Sequence, residues 1–210
     1  MSSMSLLLAD GRLPVGGHTQ SAGLEPAVQA GLSREEVPGL LLARLRTTVA
    51  VDAGAAVVAL HLVRSTGDPA PALRAWEART PSDVVRRAQV ELGRGYGRLL
   101  ARIGGPVDRS LPRPIALAHL AFRLEVASDD LARVVCHDEV QSVCAAALKL
   151  LPLDPLDTVE WALEAAPEVE CVVQAVAGLT DPDQIPAATA PAAELWQHAH
   201  ARTTRRLFRA

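Results

Sequence analysis

The run Gly93-Arg94-Gly95-Tyr96-Gly97-Arg98 has the residue types of a phosphate-binding loop, because glycines expose backbone amides and arginines add positive charge. Its spacing matches neither the Walker A nor the dinucleotide-binding pattern, and no predicted strand precedes it. Inside a helix each glycine costs up to about 1 kcal/mol relative to alanine, which is tolerable where another helix must approach closely. We therefore favour close helix packing at this run; a phosphate site and a local unwinding of the helix are the alternatives.

Side chains that could hold a metal ion are few, and they are Cys136, His137, Cys144, His198 and His200. The two histidines of the last pair are two residues apart and therefore lie on different faces of a helix. Cys136 and Cys144 are about two turns apart, too far to share one ion without a third element. We predict no metal site on this chain. Since no nucleophile elbow and no Cys–His–acid signature is present, we also predict no catalytic residue.

The segment Leu13–Gly31 combines backbone-permissive glycines with polar side chains. Polar residues fill positions 18–21, and a short helical turn follows in which Leu24 and Val28 share one face while Glu25 points elsewhere. Apolar residues on both sides predict a loop that is pinned at both ends and presents its polar groups. The pattern alone fixes no reaction.

The C-terminal segment is a second candidate binding element. Arg205-Arg206-Leu207-Phe208-Arg209 places one of only two phenylalanines in a terminal segment that should otherwise be solvated. Aromatic and arginine side chains are enriched at protein interfaces. We therefore expect Phe208 to anchor a docking tail over about 203–210; a frayed end with stray apolar residues is the alternative.

Composition and charge limit the partners and the cellular compartment that we expect for this protein. The net charge of −3 and the pI near 6.1 give no reason to expect nucleic acid or an anionic membrane. Three cysteines without CxxC spacing argue against a disulfide framework and for a reducing cytoplasm. We find no signal peptide, and no window approaches the roughly 20 apolar residues that span a bilayer. We expect a soluble cytoplasmic protein whose positive charge is almost all arginine, with Lys149 as its single lysine.

Helical periodicity runs through nearly the whole chain, whereas clean strand alternation is absent. Hydrophobic residues make up 49% of the chain and aromatic residues 3%, which predicts an aliphatic core. We therefore predict an all-α single domain over 1–210, a bundle of roughly eight to ten helices with a flexible N-terminus at about 1–5. Asp138 and Glu139 are interpreted as charges on a solvated helix face.

Caps and breakers set the expected helix boundaries. Ser33–Glu36 fits a capping box before an aliphatic helix that Asp52 and Gly54 could break or bend. A helix over 131–151 has few polar interruptions on one side, and we expect it to be the central, most buried one. Pro167 is expected to start a new helix.

Three stretches resemble the UreF family of urease accessory proteins. The run Leu13-Pro14-Val15-Gly16-Gly17-His18-Thr19-Gln20-Ser21-Ala22-Gly23-Leu24-Glu25 is similar to that family's N-terminal signature, which typically reads Leu-Pro, a glycine, an aromatic residue, a serine and then Gly-Leu-Glu. Residues 145–153 resemble the end of the family's central helix, and His200 followed by 206–210 resembles its terminal motif. Together the three stretches span nearly the whole chain.

The chain departs from the family pattern at several positions. His18 stands where most members carry phenylalanine, so any aromatic packing there is altered. Asp154-Pro155 replaces the usual Gly-Gln, and Ala201 and Thr204 replace the glutamate and tyrosine expected in the tail. These departures indicate a divergent branch of the family.

The resemblance implies an all-helical homodimer that is not an enzyme and holds no cofactor. It implies that the protein binds the accessory protein called UreD or UreH and with it recruits the GTPase UreG, which holds the GTP, so that the assembly delivers nickel to apo-urease. A metallochaperone that binds nickel through its own His and Cys residues, and a helical enzyme of unknown chemistry, are the alternatives.

The resemblance also implies roles for particular residues. Glu25 and Lys149 become candidate polar contacts to the GTPase or to a tunnel. The candidate contacts to the UreD/UreH partner are Arg206, Leu207, Phe208 and Arg209. The residues of the motif loop are Leu13, Pro14, Gly16, His18, Ser21, Gly23 and Leu24.

Overall fold

A computed structural model describes residues 2–15, 20–106, 108–203 and 207–208 of the chain. Within these ranges the chain has helices and no strand, so the all-α prediction is confirmed. The helices are α1 Ser3–Leu8, α2 Leu24–Gln29, α3 Val37–Arg44, α4 Ala50–Ser65, α5 Ala70–Arg79, α6 Asp83–Arg102, α7 Arg113–Arg123, α8 Ser128–Leu150, α9 Pro155–Val176 and α10 Pro191–Arg202. Short 3-10 turns precede α3 and α10, at Arg34–Glu36 and Pro182–Gln184.

Helices α3 and α4 are one continuous helix joined by a π-helical segment, Leu45–Val49. The predicted capping box starts it: the Ser33 N–H donates to Glu36 Oε2 at 2.8 Å. The bend expected at Asp52 and Gly54 is wrong, because the helix continues regularly through both. Gly54 is instead a packing position, since a Cβ there would lie 2.7 Å from Pro186 Cδ.

Helix α4 is the centre of the fold. It packs on α5, α7, α8 and α9, and every residue from Ala50 to Leu60 is buried. The expectation that the helix over 131–151 would be the most buried is therefore wrong. Helix α8 has an exposed side, whereas α4 is enclosed on all sides through three helical turns.

The continuous helix over Arg34–Ser65 is long enough and apolar enough to cross a membrane, judged by length and composition alone. No segment of this kind was expected from the sequence. In the fold, 72% of its most apolar window is buried. The core helix of a bundle has this composition because other helices cover it on every side.

Helix α9 begins at a second capping box. The Leu156 N–H donates to Asp154 Oδ1 at 2.9 Å, and the Asp154 N–H donates to Asp157 Oδ2 at 3.0 Å. The prediction that Pro167 starts a new helix is wrong, because α9 continues through it to Val176. Pro167 is exposed, so its ring faces away from the core while the buried face of α9 holds the helix together.

We expect Asp154→Ala to lower the free energy of unfolding by about 1 kcal/mol, the usual cost of losing an N-cap side chain. Urea denaturation measures the change. Asp154→Asn is the control, because asparagine caps a helix about as well as aspartate. An Asn variant as unstable as the Ala variant would contradict this role for the carboxylate.

The N-terminus differs from the flexible segment expected at about 1–5. From Ser3 onward the chain forms α1, and the Ser2 side chain caps it by accepting the Ser5 N–H at 3.1 Å. Ser5 is fully buried, and its hydroxyl donates to Asp130 Oδ2 at 2.9 Å. This buried hydrogen bond fixes the start of the chain to α8.

Candidate functional site

Glycines in α6 allow two loops to lie directly on that helix. A Cβ at Gly95 would lie 2.1 Å from the Val15 carbonyl oxygen, and one at Gly93 would lie 2.0 Å from the Leu111 carbonyl oxygen. A segment does approach α6 closely at both glycines, but it is loop backbone and not the helix that was expected. The phosphate alternative loses support, because amides inside a helix donate to carbonyls four residues earlier.

The segment around Gly23 turns sharply before α2 begins. Ala22 and Gly23 have φ values of 54° and 85°, a left-handed pair in which glycine carries the larger value at no steric cost. The Leu24 N–H donates to the Ser21 carbonyl at 2.9 Å, and Leu24 is fully buried. The turn places Glu25, the next residue, inside the protein, where it is only 4% exposed.

The Glu25 carboxylate holds the backbone of the C-terminal tail. Oε1 accepts the Leu207 N–H at 2.7 Å and Oε2 accepts the Phe208 N–H at 3.0 Å. These are charge-assisted hydrogen bonds in a buried setting, which makes them stronger than neutral ones. We call this contact, with the three side chains around it, the tail clasp: Glu25, Lys149, His200 and Phe208.

Lys149 and His200 complete the tail clasp. His200 is buried, and its Nε2 donates to the Phe208 carbonyl at 3.1 Å, while its Nδ1 lies 3.7 Å from Glu25 Oε2. Lys149 Nζ lies 5.1 Å from the centre of the Phe208 ring, within range of a cation–π interaction. Phe208 itself is buried and Leu207 is 64% exposed. Glu25, Lys149 and Phe208, predicted separately from the sequence, thus lie together.

The structure describes some of the remaining predicted residues. Leu13 is half-buried and Pro14 is exposed, with its carbonyl accepting a hydrogen bond from Arg98 Nη2 at 3.1 Å. Ser21 is fully buried rather than presented to solvent, and its hydroxyl has no partner among the described residues. The other predicted positions, Gly16, His18, Arg206 and Arg209, lie outside the described residues.

A chamber of about 780 Å³, lined by both apolar and polar side chains, lies between α4, α6, α8 and α10. Gln20 and His200 reach its wall from the region of the motif loop and the tail, but neither Glu25 nor Lys149 lines it. Four buried polar atoms on its wall have no hydrogen-bond partner in the described part of the chain: Thr48 Oγ1, Gln89 Oε1, Arg113 Nε and Gln197 Oε1. Donors and acceptors of this kind, in a space this large, are suited to ordered water.

A buried charge cluster forms one wall of the chamber. Asp52 accepts hydrogen bonds from Trp76 Nε1 and Gln89 Nε2, both at 2.7 Å, and lies 3.3 Å from Arg113 Nη2. Arg113 Nη1 also binds Asp138 Oδ2 at 2.7 Å. In the same wall, Arg44 Nε pairs with Glu139 Oε1 at 2.5 Å.

The interpretation of Asp138 and Glu139 as solvated charges is wrong. Glu139 is buried in its pair with Arg44, and Asp138 is largely covered beside Arg113. Asp52 and Arg113 were not predicted from the sequence as members of any site. The sequence does contain an indication of each: Asp52 is a lone acid in an otherwise apolar helix, and Arg113 lies between two prolines. A charged side chain that becomes buried requires a partner of opposite charge.

Burial and neighbouring charges shift the titration of this cluster. Burial raises the pKa of Asp52 above its usual value, against the opposing effect of Arg113. Burial alone would also raise the pKa of Glu139, but the adjacent Arg44 holds that pKa below its usual value. Burial and the neighbouring Asp138 carboxylate raise the pKa of Tyr96. Glu139 is therefore held ionised by its arginine, whereas burial outweighs the arginine at Asp52.

The two buried cysteine thiols, those of Cys136 and Cys144, are poorly suited to metal binding or nucleophilic attack. Burial raises the pKa of Cys136 to about 12 and that of Cys144 to about 11, so at neutral pH neither provides a thiolate. Throughout the ranges that the structure describes, no three His, Cys, Asp or Glu side chains lie together in a way that could hold a metal ion.

Comparison with known proteins identifies the same family that the sequence motifs resemble. The family model described as UreF matches residues 32–166, which include Lys149 but neither Glu25 nor the tail. A protein named urease accessory protein UreF from Mycobacterium sp. (strain JLS) is 34% identical over 190 residues, covering 84% of this chain and 88% of the relative. The protein of that name from Mycolicibacterium vanbaalenii is 34% identical over 198 residues, covering 87% and 91%. The one from Mycobacterium tuberculosis (strain CDC 1551 / Oshkosh) is 33% identical over 192 residues, covering 86% and 89%.

The family match extends from just before the central helix into α9, and each of these relatives matches more than four fifths of the chain. The all-helical fold agrees with the fold implied by the sequence resemblance. The chain belongs to the UreF family of urease accessory proteins.

Proposed function

We propose that this chain is the non-enzymatic subunit that joins a UreD/UreH-type accessory protein to the GTPase UreG during nickel insertion into apo-urease. In this role it works in the cytoplasm as a homodimer and touches proteins only, neither nucleic acid nor membrane. Nickel is cargo of the assembly, GTP belongs to the partner GTPase, and the chain itself carries no cofactor. It contributes a surface that the partner proteins bind.

The observation that carries the proposal is the tail clasp. The Glu25 carboxylate takes up two backbone N–H groups of the tail, so the motif loop and the C-terminus form one surface although they lie 182 residues apart in sequence. Phe208 is buried and serves as the internal anchor of the tail. Leu207, at 64% exposure, is the side chain that the anchored backbone presents outward.

From this arrangement we infer distinct roles for the residues that the family resemblance implies. Leu207, with its arginine neighbours 206 and 209, contacts the UreD/UreH-type protein. Glu25 and Lys149 act mainly by holding the tail rather than by lining a tunnel, because neither is part of the chamber wall. A partner that recognises the docked tail therefore recognises the motif loop at the same time.

We expect Leu207→Ala to weaken binding of the UreD/UreH-type protein about tenfold, the usual effect of removing an apolar interface anchor. Glu25→Ala removes both acceptors of the tail backbone, so it should release the tail and weaken the same binding at least as much. Biolayer interferometry with the purified partner measures both affinities, and GTP-dependent retention of UreG reports the second contact.

Leu6→Ala is the control for this experiment, because Leu6 is similarly exposed, at 59%, but belongs to α1. Faster tryptic cleavage after Arg205 or Arg206 in Glu25→Ala, with unchanged helical circular dichroism, would show that the tail rather than the fold was lost. Unchanged partner binding in both variants would refute the proposed role of the tail clasp. Tight nickel binding by the isolated chain in equilibrium dialysis would favour a metallochaperone that holds nickel itself.

A further inference from the structure

A second exposed surface lies on α9 and uses none of the residues of the tail clasp. Leu156, Val159 and Leu163 are 67%, 51% and 69% exposed. Their spacing of three and four residues places them on one face over two helical turns. The opposite face, with Trp161 and Ala165, is buried against the bundle. We call the three exposed side chains the α9 ridge.

Helix α9 is acidic throughout: it has five Asp and Glu residues and no Lys, Arg or His. Three of the five acids are neutralised by arginines of other elements. The pairs are Asp157 with Arg34, Glu168 with Arg46, and Glu170 with Arg133. The other two, Glu160 and Glu164, are exposed, and neither is in an ion pair within the described ranges. Two negative charges therefore remain beside the α9 ridge.

The geometry of the helix places these charges on one flank of the ridge. At 3.6 residues per turn, Glu160 follows Leu156 by one turn and Glu164 follows Glu160 by one more. Pro167 adds an acceptor at the far end, because it has no N–H to donate to the carbonyl of Leu163, four residues earlier. The ridge is thus bordered by two carboxylates and by a carbonyl without its usual helical donor.

We propose that the α9 ridge is a docking surface for an amphipathic helical segment of another protein, one whose apolar stripe is flanked by arginine or lysine. The aliphatic side chains fit an apolar stripe with spacing i, i+3 and i+7. Guanidinium groups bind carboxylate and carbonyl oxygens well, so charge complementarity selects a basic flank.

A second copy of this chain fits the ridge less well. If two α9 helices met face to face and antiparallel, the glutamates of both copies would lie on the same side of the contact and repel each other. The proposal does not depend on the bridging function above, because it concerns different residues and a different test.

The test uses a fluorescent helical peptide with leucines at i, i+3 and i+7 and arginines along one flank. A second peptide carries glutamine in place of each arginine. Fluorescence anisotropy is expected to show that the full chain binds the arginine peptide at least tenfold more tightly than the glutamine peptide.

Variants of the chain test whether the arginine peptide binds at the α9 ridge. Glu160→Gln with Glu164→Gln should weaken binding of the arginine peptide about tenfold, and Leu163→Ala should do the same. The matched control is Glu77→Gln with Glu125→Gln, which changes the net charge equally but lies on α5 and after α7. All these side chains are outside the core, and thermal unfolding confirms that each variant is folded.

Three results would overturn the proposal. Equal loss of binding in the control double variant would show attraction to the net charge alone. No binding of the arginine peptide by the wild-type chain would show that the ridge does not accept such a segment. Dimerisation in light scattering that Leu163→Arg abolishes, without peptide binding, would identify the ridge as an interface between two copies. None of these results bears on Leu207→Ala, so the two proposals fail separately.

Discussion

Arg113→Met is expected to lower the free energy of unfolding by about 3–5 kcal/mol, the cost of leaving a buried charge without its partner. Arg113 is 2% exposed and lies between Asp52 and Asp138, at 3.3 Å and 2.7 Å. Methionine fills much of the same volume but supplies no positive charge. Both carboxylates would then lose their cation, and Asp52 is only 6% exposed.

The pH dependence of this variant has a definite sign. Burial already raises the pKa of Asp52, and loss of Arg113 raises it further above the value in the unfolded chain. A native state that binds more protons than the unfolded state loses stability as the pH rises through that range. The difference between wild type and variant should therefore be largest at pH 7 and smaller in acid.

Urea denaturation at pH 7 and in acid measures both effects. Arg12→Met is the control: Arg12 pairs with Asp10 at 2.8 Å, but its side chain is 91% exposed, so we expect no measurable change. A loss of stability in Arg113→Met that does not vary with pH would mean that packing, rather than the two carboxylates, determines the cost.

Gly95→Ala is expected to destabilise the protein by about 1–3 kcal/mol, the range for overpacking a filled site. Helix propensity alone predicts the opposite, a gain of up to about 1 kcal/mol for alanine over glycine inside a helix. The sign is decided by the Val15 carbonyl, which would lie 2.1 Å from the new Cβ. Since that atom is backbone, the motif loop itself has to move.

Gly97→Ala on the same helix is the matched control. Its Cβ would have only the Asp108 carbonyl nearby, at 3.5 Å, which is an ordinary contact distance. We expect Gly97→Ala to leave stability unchanged or to raise it slightly. Thermal and urea unfolding compare the two variants, and a stabilised Gly95→Ala would show that the loop is not held against α6 as described.

The helical class, the caps and the family were accessible from the sequence because each depends on local patterns. The capping box at Ser33 is an example, since the interacting residues are only three positions apart. The repeated glycines also indicated a close approach at Gly93 and Gly95, because glycine lowers helix stability. The expected neighbour was a helix, whereas the observed one is loop backbone.

The features that could not be predicted from the sequence depend on contacts between distant segments. Pro167 signals a helix start locally, yet the packing of α9 on α8 outweighs it. Asp138 and Glu139 look like surface charges until Arg113 and Arg44 are placed beside them by other helices. Likewise, the sequence identified Phe208 as an anchor but not the group that holds it. That group is Glu25 of the same chain, 183 positions away in sequence.

The cation above the Phe208 ring has a practical consequence, because Lys149 is the single lysine of the chain. Reagents that acylate amines have one side-chain target in this protein, and that target touches the aromatic residue that secures the C-terminus. Acylation removes the positive charge and with it the cation–π attraction. A single chemical modification of the unmutated protein can therefore loosen the end of the chain and carry a spectroscopic label to the same place.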